Sequence, residues 1–393
     1  MPVKRVKFFI FLKDVLLLAF TAFGGPQAHI TLLFDLMVKK RKYLTEEELI
    51  ELHALCQILP GPTSTQTITA IGFKLGGPNL AYLALLVWIF PAVCLMIAAA
   101  VAIAEFQQKD IPIYFTKFIQ PMAVGFVAVA AFKISSKVVI TKLGITIMII
   151  SAIISYFFPS PYLFPIMLFA GGSITASRFR SLERIHNKNR ITIDWRNFLL
   201  WAGVFILAAS LGGITRLLPV RLFENFYRNG SLIFGGGQVL VPLLFTEFVE
   251  YKRYLSSEEF LSGFALVQAV PGPTFSFTAY IGSLSMRQYG IFGEILGGFT
   301  AAFGIFLPGT FLIFFVIRFW GDLKQYRGIK ASLEGINATS SGMVTAAALL
   351  LFQPIDSNFL NISIIILTFV LLMFTRLPAP FIIIAGLLAG FIA

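Results

Sequence analysis

Two short stretches carry residue types that can hold an anion and let it go. Leu59-Pro60-Gly61-Pro62-Thr63-Ser64-Thr65-Gln66 interrupts an apolar helical pattern, and Val270-Pro271-Gly272-Pro273-Thr274-Phe275-Ser276 repeats it 211 positions on, from Pro60 to Pro271. A helix that restarts inside a membrane exposes backbone N–H groups without partners at the end where its dipole is positive. An oxyanion satisfies both. Pro26, Pro62 and Pro273 suit the first turn of a restarted helix, where a missing N–H is harmless, and Gly61 and Gly272 let backbone approach a ligand closely. Thr63, Ser64, Thr65, Gln66, Thr274 and Ser276 add neutral donors, with Gln57 and Gln268 one turn before each break. A dianion held by neutral donors and dipoles can be released again, whereas a fixed arginine cage binds too tightly for conduction.

The same register carries Phe23-Gly24-Gly25-Pro26-Gln27 onto Phe234-Gly235-Gly236-Gly237-Gln238, Tyr43-Leu44 onto Tyr254-Leu255, Glu47-Glu48 onto Glu258-Glu259, and Gln57 onto Gln268. One ungapped register across two glycine-rich breaks and the helix starts between them signals an internal duplication. A single Pro-Gly-Pro marks a kink or a close helix contact equally well. Two register-matched copies in a membrane protein point instead to a transport site.

The elements that must position these breaks are membrane spans. The 393 residues are 57% hydrophobic and 13% charged, with a mean hydropathy of +0.84, far from the balance of a soluble domain. The net charge of +12 comes from 31 Lys and Arg against 19 Asp and Glu. These cations lie in short loops between apolar runs, as the positive-inside rule requires, rather than in a nucleic-acid groove. Cys56 and Cys94 fall within apolar stretches and read as packing residues. Lys4, Arg5 and Lys7 before an apolar run mimic a signal peptide, but Lys13-Asp14 cuts that run short, so the segment reads as mature sequence.

In chain order, a short helix over 8–23 stops at Gly24-Gly25-Pro26, and a second runs from about Gln27 to Val38. Thr45-Glu46-Glu47-Glu48 caps a third, which breaks at Pro60-Gly61-Pro62 and resumes until Gly76-Gly77-Pro78. Conventional spans follow at roughly 79–105, 113–134, 138–157 and 161–177. A basic cytoplasmic linker (Arg178 to Arg196) and one connecting span (197–215) lead into a second copy, with broken segments at 222–250 and 256–287 and spans near 290–317, 332–352, 359–375 and 378–392. The units are therefore 1–180, a connecting piece 181–218, and 219–393. Each half has an even number of crossings, so the lone connecting span turns the second upside down. The expected fold is an all-α polytopic membrane protein made of two inverted-topology repeats with discontinuous helices at the Gly-Gly and Pro-Gly-Pro motifs. Lys/Arg placement is compatible both with breaks that re-enter and with breaks that cross fully.

With these paired motifs, the chain resembles the chromate ion transporter family in its long, two-domain form, over nearly its whole length. The resemblance implies export of chromate across the cytoplasmic membrane, with sulfate as the natural look-alike; joined to the inverted repeat and the lack of a Walker motif, the expected function is a secondary transporter of chromate, or a similar tetrahedral oxyanion, working by alternating access. The residues expected to bind the anion, read from the two pairs of breaks, are Gly24, Gly25, Pro26, Gln27, Gln57, Pro60 to Thr65, Gly235, Gly236, Gly237, Gln238, Gln268, Pro271 to Thr274 and Ser276. The second copy departs in having Gly237 for Pro26, Phe275 for Ser64 and Phe277 for Gln66, so the half-sites need not contribute equally.

Other residues carry less. His29 could sense protons, but a lone histidine on an apolar helix is more often a packing residue, and Leu240 stands at its place in the second copy. His53 and Cys56 share a helix face without the further ligands a metal needs. Lys13-Asp14, Lys133 and Glu294 read as snorkelling side chains near interfaces, and Lys74 keeps some interest downstream of the first Pro-Gly-Pro. With no Walker motif and no convergent acid, base, metal or nucleophile set, an ATPase or other enzyme is disfavoured, and a structural protein would not keep costly breaks in lipid. The expected partners are the oxyanion and the lipid bilayer, with no nucleic acid and no cofactor; homodimerisation is left open.

Overall fold

A computed structural model describes residues 7–109, 116–178, 194–234, 239–323 and 327–392. Gly235, Gly236, Gly237 and Gln238 and most of the basic linker therefore lie outside the described residues. The described chain is helical and without strands. Helix α1 (Phe8–Thr21) leads through a left-handed Gly24 (φ +93°) into α2 (Gly25–Leu33), which winds on as a π-helical stretch, Phe34–Lys40. Helix α3 (Glu46–Ile58) begins with a complete capping box between Thr45 and Glu48, and α4 (Thr63–Gln108) follows the Pro-Gly-Pro.

Both segments fold back at their breaks instead of running on. Ring contact between Phe11 and Tyr43 (5.7 Å) and bonds from Arg41 and Tyr43 to Asp14 set the far ends of α1 and the α2 stretch side by side. His53 meets Thr67 and Glu48 meets Lys74, so α3 and the arm 63–75 are antiparallel, with Pro-Gly-Pro at the tip. Each α3-sized leg has 13 residues and rises about 20 Å, short of the ~30 Å a bilayer core demands. At Gly76-Gly77 the α4 backbone leaves helical geometry, and a Cβ on Gly72 would sit 3.0 Å from Ala81 Cα. The chain has reversed again into the long arm 78–108.

Three helices complete the first half: α5 (Ile119–Val138), α6 (Lys142–Phe157) and α7 (Leu163–Arg178). Helix α8 (Arg196–Thr215) connects the halves and is the least buried of the long apolar helices. The second half repeats the plan. Helix α9 (Leu218–Leu232) is followed by α10 (Leu240–Phe245) and a π-helical stretch, Thr246–Tyr251. Helix α11 (Ser257–Ala269), again with a capping box (Ser256 with Glu259), leads to the second Pro-Gly-Pro. Beyond it come a 3-10 turn (Thr274–Ser276), α12 (Phe277–Ser285), a second 3-10 turn (Arg287–Tyr289) and the long α13 (Gly290–Val316). Helices α14 (Trp320–Leu323), α15 (Arg327–Phe352), α16 (Phe359–Phe374) and α17 (Ala379–Ile392) end the chain.

Structure extends the sequence register in detail. The left-handed Lys42 and Arg253 (φ +52° and +54°) follow the two π-helical stretches, and the bonds Tyr43 N–H to Met37 and Tyr254 N–H to Phe248 are both 2.8 Å. After the Pro-Gly-Pro the register slips by two. Gly77 and Gly290 then become equivalent, with near-identical backbone (φ +74° and +68°), and Lys74–Glu48 becomes equivalent to Arg287–Glu259.

Helices of the two halves pair in defined directions. Along the 78–108 arm and α13, Tyr82 meets Phe314, Phe90 meets Phe299, Ile97 lies on Gly298 and Gln107 reaches Arg287, an antiparallel pairing. Helix α6 runs parallel to α15, with Thr141 on Glu334 and Tyr156 on Gln353. Helix α5 runs parallel to α16 in the same way, with Gly125 on Thr368 and Lys133 on Leu372.

Three expectations on charged groups change. Asp14 is only 3% exposed, with its carboxylate held by Arg41 (2.6 Å) and the Tyr43 hydroxyl (2.7 Å): a paired buried ion rather than a snorkelling one. Glu294 is likewise buried, on the face of α13 that also buries Gly293, Gly297 and Gly298, while Ile291 and Phe292 point outward. Lys74 binds Glu48 at 2.7 Å and closes the base of its hairpin. Lys133 does lie exposed, donating to the Leu372 carbonyl.

Candidate functional site

The two Pro-Gly-Pro tips are built alike. Gly61 and Gly272 take φ of +118° and +103°, conformations in which a Cβ would be strained. Pro62 and Pro273 occupy the N-cap positions of the restarted helices, one place earlier than expected, because each must hold an extended ψ (96° and 130°) to turn the chain off the glycine. Neither restarted helix receives a side-chain cap. In the first, Gln66 N–H is the first to close on the helix's own backbone, at Pro62 (2.9 Å). The N–H groups of Thr63, Ser64 and Thr65 are thus left as the free donors of the first turn.

Each tip is embedded in the opposite half. Gly61 N–H donates to the Ile233 carbonyl at 2.7 Å, and Gly272 N–H donates to the Ala22 carbonyl at 2.9 Å. Gly61 stands to Gly272 as Ala22 stands to Ile233 in the sequence register, so matching positions of the two halves make matching contacts. A Cβ on Gly61 would lie 3.6 Å from Gly309 Cα of α13, and one on Gly272 would lie 3.1 Å from Ala92 Cβ of the 78–108 arm. Each Pro-Gly-Pro therefore sits between the broken hairpin and the long helix of the other copy.

One histidine joins the two tips. His29 Nε2 lies 3.2 Å from the Ala22 carbonyl that also accepts from Gly272, and its Nδ1 lies 3.1 Å from Ser64 Oγ. Trp88 packs edge-on to the imidazole (5.4 Å) and donates its indole N–H to Thr65 Oγ1 (3.1 Å). A carbonyl can only accept, so Nε2 carries the proton and Ser64 donates its hydroxyl to Nδ1. Nearby, the Gln66 amide donates to the Pro60 carbonyl (2.5 Å), leaving its own oxygen buried and unpartnered.

The sequence-derived residues divide accordingly. Gly61, Gly272, Thr63, Ser64, Thr65, Thr274 and Ser276 gather at the tips, and Gly24 and Gly25 form the turn opposite the second tip. Thr63 and Thr274 are half-buried at the first position after each break. Ser276 is fully buried, with its hydroxyl unpartnered among the described residues. Gln57 is exposed and donates to His53, whose other nitrogen meets Thr67. It stands away from the break. His53 is thereby spent on hydrogen bonds, and no cluster of three or more His, Cys, Asp or Glu occurs among the described residues.

Sequence reading missed Trp88 and a hydroxyl run, Thr339-Ser340-Ser341, in the middle of α15. All three are buried, and Ser340 faces the Phe234 carbonyl at the second break (3.5 Å). Three hydroxyls in an otherwise apolar span were the available signal. No hydrogen bond or ion pair described at the tips involves Lys or Arg.

A helical membrane bundle whose halves each bury a broken-helix tip in the other is the architecture of a membrane transporter. The chain belongs to the chromate transporter family, whose model matches residues 9–176 and 220–391, once for each half. It is 25% identical over 373 residues to a probable chromate transport protein of Synechococcus elongatus, covering 94% of this chain and 91% of that one. It is 25% identical over 341 residues to the chromate transport protein of Pseudomonas aeruginosa (84% and 78%). An uncharacterized transporter of Methanocaldococcus jannaschii is 24% identical over 361 residues (90% and 87%). No solved structure matches.

Proposed function

We propose that this protein is a secondary transporter that exports chromate, or a closely similar tetrahedral oxyanion, across the cytoplasmic membrane by alternating access. The reciprocal pair of bonds, Gly61 to Ile233 and Gly272 to Ala22, carries the reading. It puts both restarted helices, with their free N–H groups and positive dipole ends, at the boundary between halves that can rock about it. The halves form an inverted repeat, a reading supported by the antiparallel course of the 78–108 arm and α13 and by the parallel pairs α6 with α15 and α5 with α16. The names of the relatives support chromate as the substrate.

Thr63, Thr274 and Ser276 supply hydroxyl donors beside the free N–H groups of the tips, and Gly24-Gly25 turn the chain at the neighbouring break of the first half. Binding rests on neutral donors, consistent with hydrogen bonds at the tips that leave out Lys and Arg. Uptake into everted vesicles and reconstituted proteoliposomes, with chromate, sulfate and molybdate side by side, tests the reading. Chromate should accumulate in everted vesicles faster than in protein-free controls. Absence of chromate flux, or flux of sulfate alone, overturns it.

A further inference from the structure

We infer that His29 and Ser64 form a proton site that fills when the oxyanion binds, making the proton a co-substrate. This rests on the oxyanion reading above. His29 is 1% exposed and both ring nitrogens are engaged, one to a carbonyl that cannot release it and the other to a hydroxyl that can turn.

In the structure as it stands the Ser64 hydroxyl proton is committed to Nδ1, so the Ser64 side chain has no donor for an incoming anion. A proton taken from water onto Nδ1 reverses that bond: Nδ1–H now donates to Ser64 Oγ, and the Ser64 O–H is released to donate elsewhere. Ser64 lies in the first turn of the restarted helix, so the freed donor joins the backbone N–H groups there. The imidazolium adds a positive charge one hydrogen bond away. No covalent bond to carbon changes, and the proton is returned to water when the anion leaves.

The surroundings leave His29 as the titrating group. Helix α2 packs against α4, and the groups of α1 and α4 facing His29 are the Ala22 carbonyl, the Ser64 hydroxyl and the Trp88 ring. The charged residues of its own hairpin, Asp14 and Arg41, pair with each other at the far end, with Tyr43 on the same carboxylate. The device is built once, since Leu240 and Phe275 occupy the equivalent places in the second half. Linkage then requires that anion affinity rise as pH falls, because the bound form holds one proton more.

The test compares chromate affinity of purified wild type and His29→Gln between about pH 5.5 and 8.5. Glutamine can keep a donor toward Ala22 and an acceptor toward Ser64 but does not titrate. Protonation of chromate itself is common to both proteins and cancels in their ratio. The ratio of wild-type to variant affinity should rise about tenfold or more toward low pH, and wild type should take up a proton on binding, read with a pH-indicator dye. Ser64→Ala, which keeps the histidine but removes the relay, should flatten the pH dependence as well, and it serves if His29→Gln does not fold. A constant ratio across pH, or a Ser64→Ala protein with wild-type pH dependence, overturns the proton site while leaving the transporter reading intact. Failure of wild type to bind chromate at any pH overturns both.

Discussion

Replacing Thr63 and Thr274 by valine separates a ligand donor from a structural residue. Valine keeps the branched shape and loses only the hydroxyl. At a helix start that loss ordinarily removes an N-cap, costing about 1 kcal/mol, but here Pro62 and Pro273 hold the cap positions and no side chain caps either helix. Thr65, Thr67 and Thr69 hydroxyls are already bonded within the protein, whereas those of Thr63 and Thr274 have no described partner. Stability should therefore change by no more than about 0.5 kcal/mol. A hydrogen bond to a charged group contributes roughly 1.5–3 kcal/mol, so each variant should bind chromate about 10- to 150-fold more weakly. The two measurements are the unfolding midpoint of detergent-purified protein and the chromate dissociation constant by equilibrium binding. Wild-type affinity in both purified valine variants would end the donor assignment, and a lowered midpoint with unchanged affinity would return both residues to a structural role.

Three further outcomes follow from the same geometry. Gly61→Ala and Gly272→Ala force a Cβ into left-handed backbone at φ +118° and +103°; each should destabilise by about 1–2 kcal/mol, seen as a lower midpoint, and an unshifted midpoint would contradict the turn geometry. Asp14→Asn breaks the pair with Arg41, whose side chain is 40% exposed against 4% for Asp14. The loss should be about 1–2 kcal/mol, below the full cost of breaking a buried pair because water screens the arginine. Lys42→Cys and Arg253→Cys sit at equivalent turns, and a membrane-impermeant maleimide should label them from opposite sides of the membrane; labelling from one side would refute the inverted arrangement.

The duplicated Pro-Gly-Pro, the places of the apolar helices and the helix start at Thr45 were legible because they depend on local chemistry, although four of the expected spans are helices of only 14 to 16 residues. Thr45 with Glu48 and Ser256 with Glu259 form capping boxes from their own side chains, and a run of apolar residues needs no partner to read as a span. The reversals were not legible. Whether a Pro-Gly-Pro kinks a crossing helix or turns the chain back depends on what receives its tip, and the receiving groups, the Ile233 and Ala22 carbonyls, are backbone atoms that any residue supplies. The two-residue slip after the second break hid the equivalence of Lys74 and Arg287, so a matched pair of hairpin clips read as one stray lysine. Asp14 misled for a related reason: its partners Arg41 and Tyr43 are 27 and 29 residues away, brought back only by the fold of the first hairpin.

The two tips share a backbone and differ in what braces it. In the first half, hydrogen bonds do so: Gln66 to Pro60, Trp88 to Thr65, Ser64 with His29. In the second, rings do so: Phe277 stands in the place of Gln66 and packs on Phe260 (4.9 Å) and Phe264 (5.9 Å), while Phe275 meets Phe306 (6.3 Å). Ring packing has no donors to redirect. A hydrogen-bonded brace can exchange one acceptor for another without moving the backbone, so a change in protonation or ligand is felt at the first tip. At the second tip the Ser276 hydroxyl has no described partner, and under the proposed function it stays available with that of Thr274 as a donor. Under the proposed alternating access, the two halves exchange conformations, which equivalent backbones allow, and side chains that differ between tips let one of them sense the anion without breaking that equivalence.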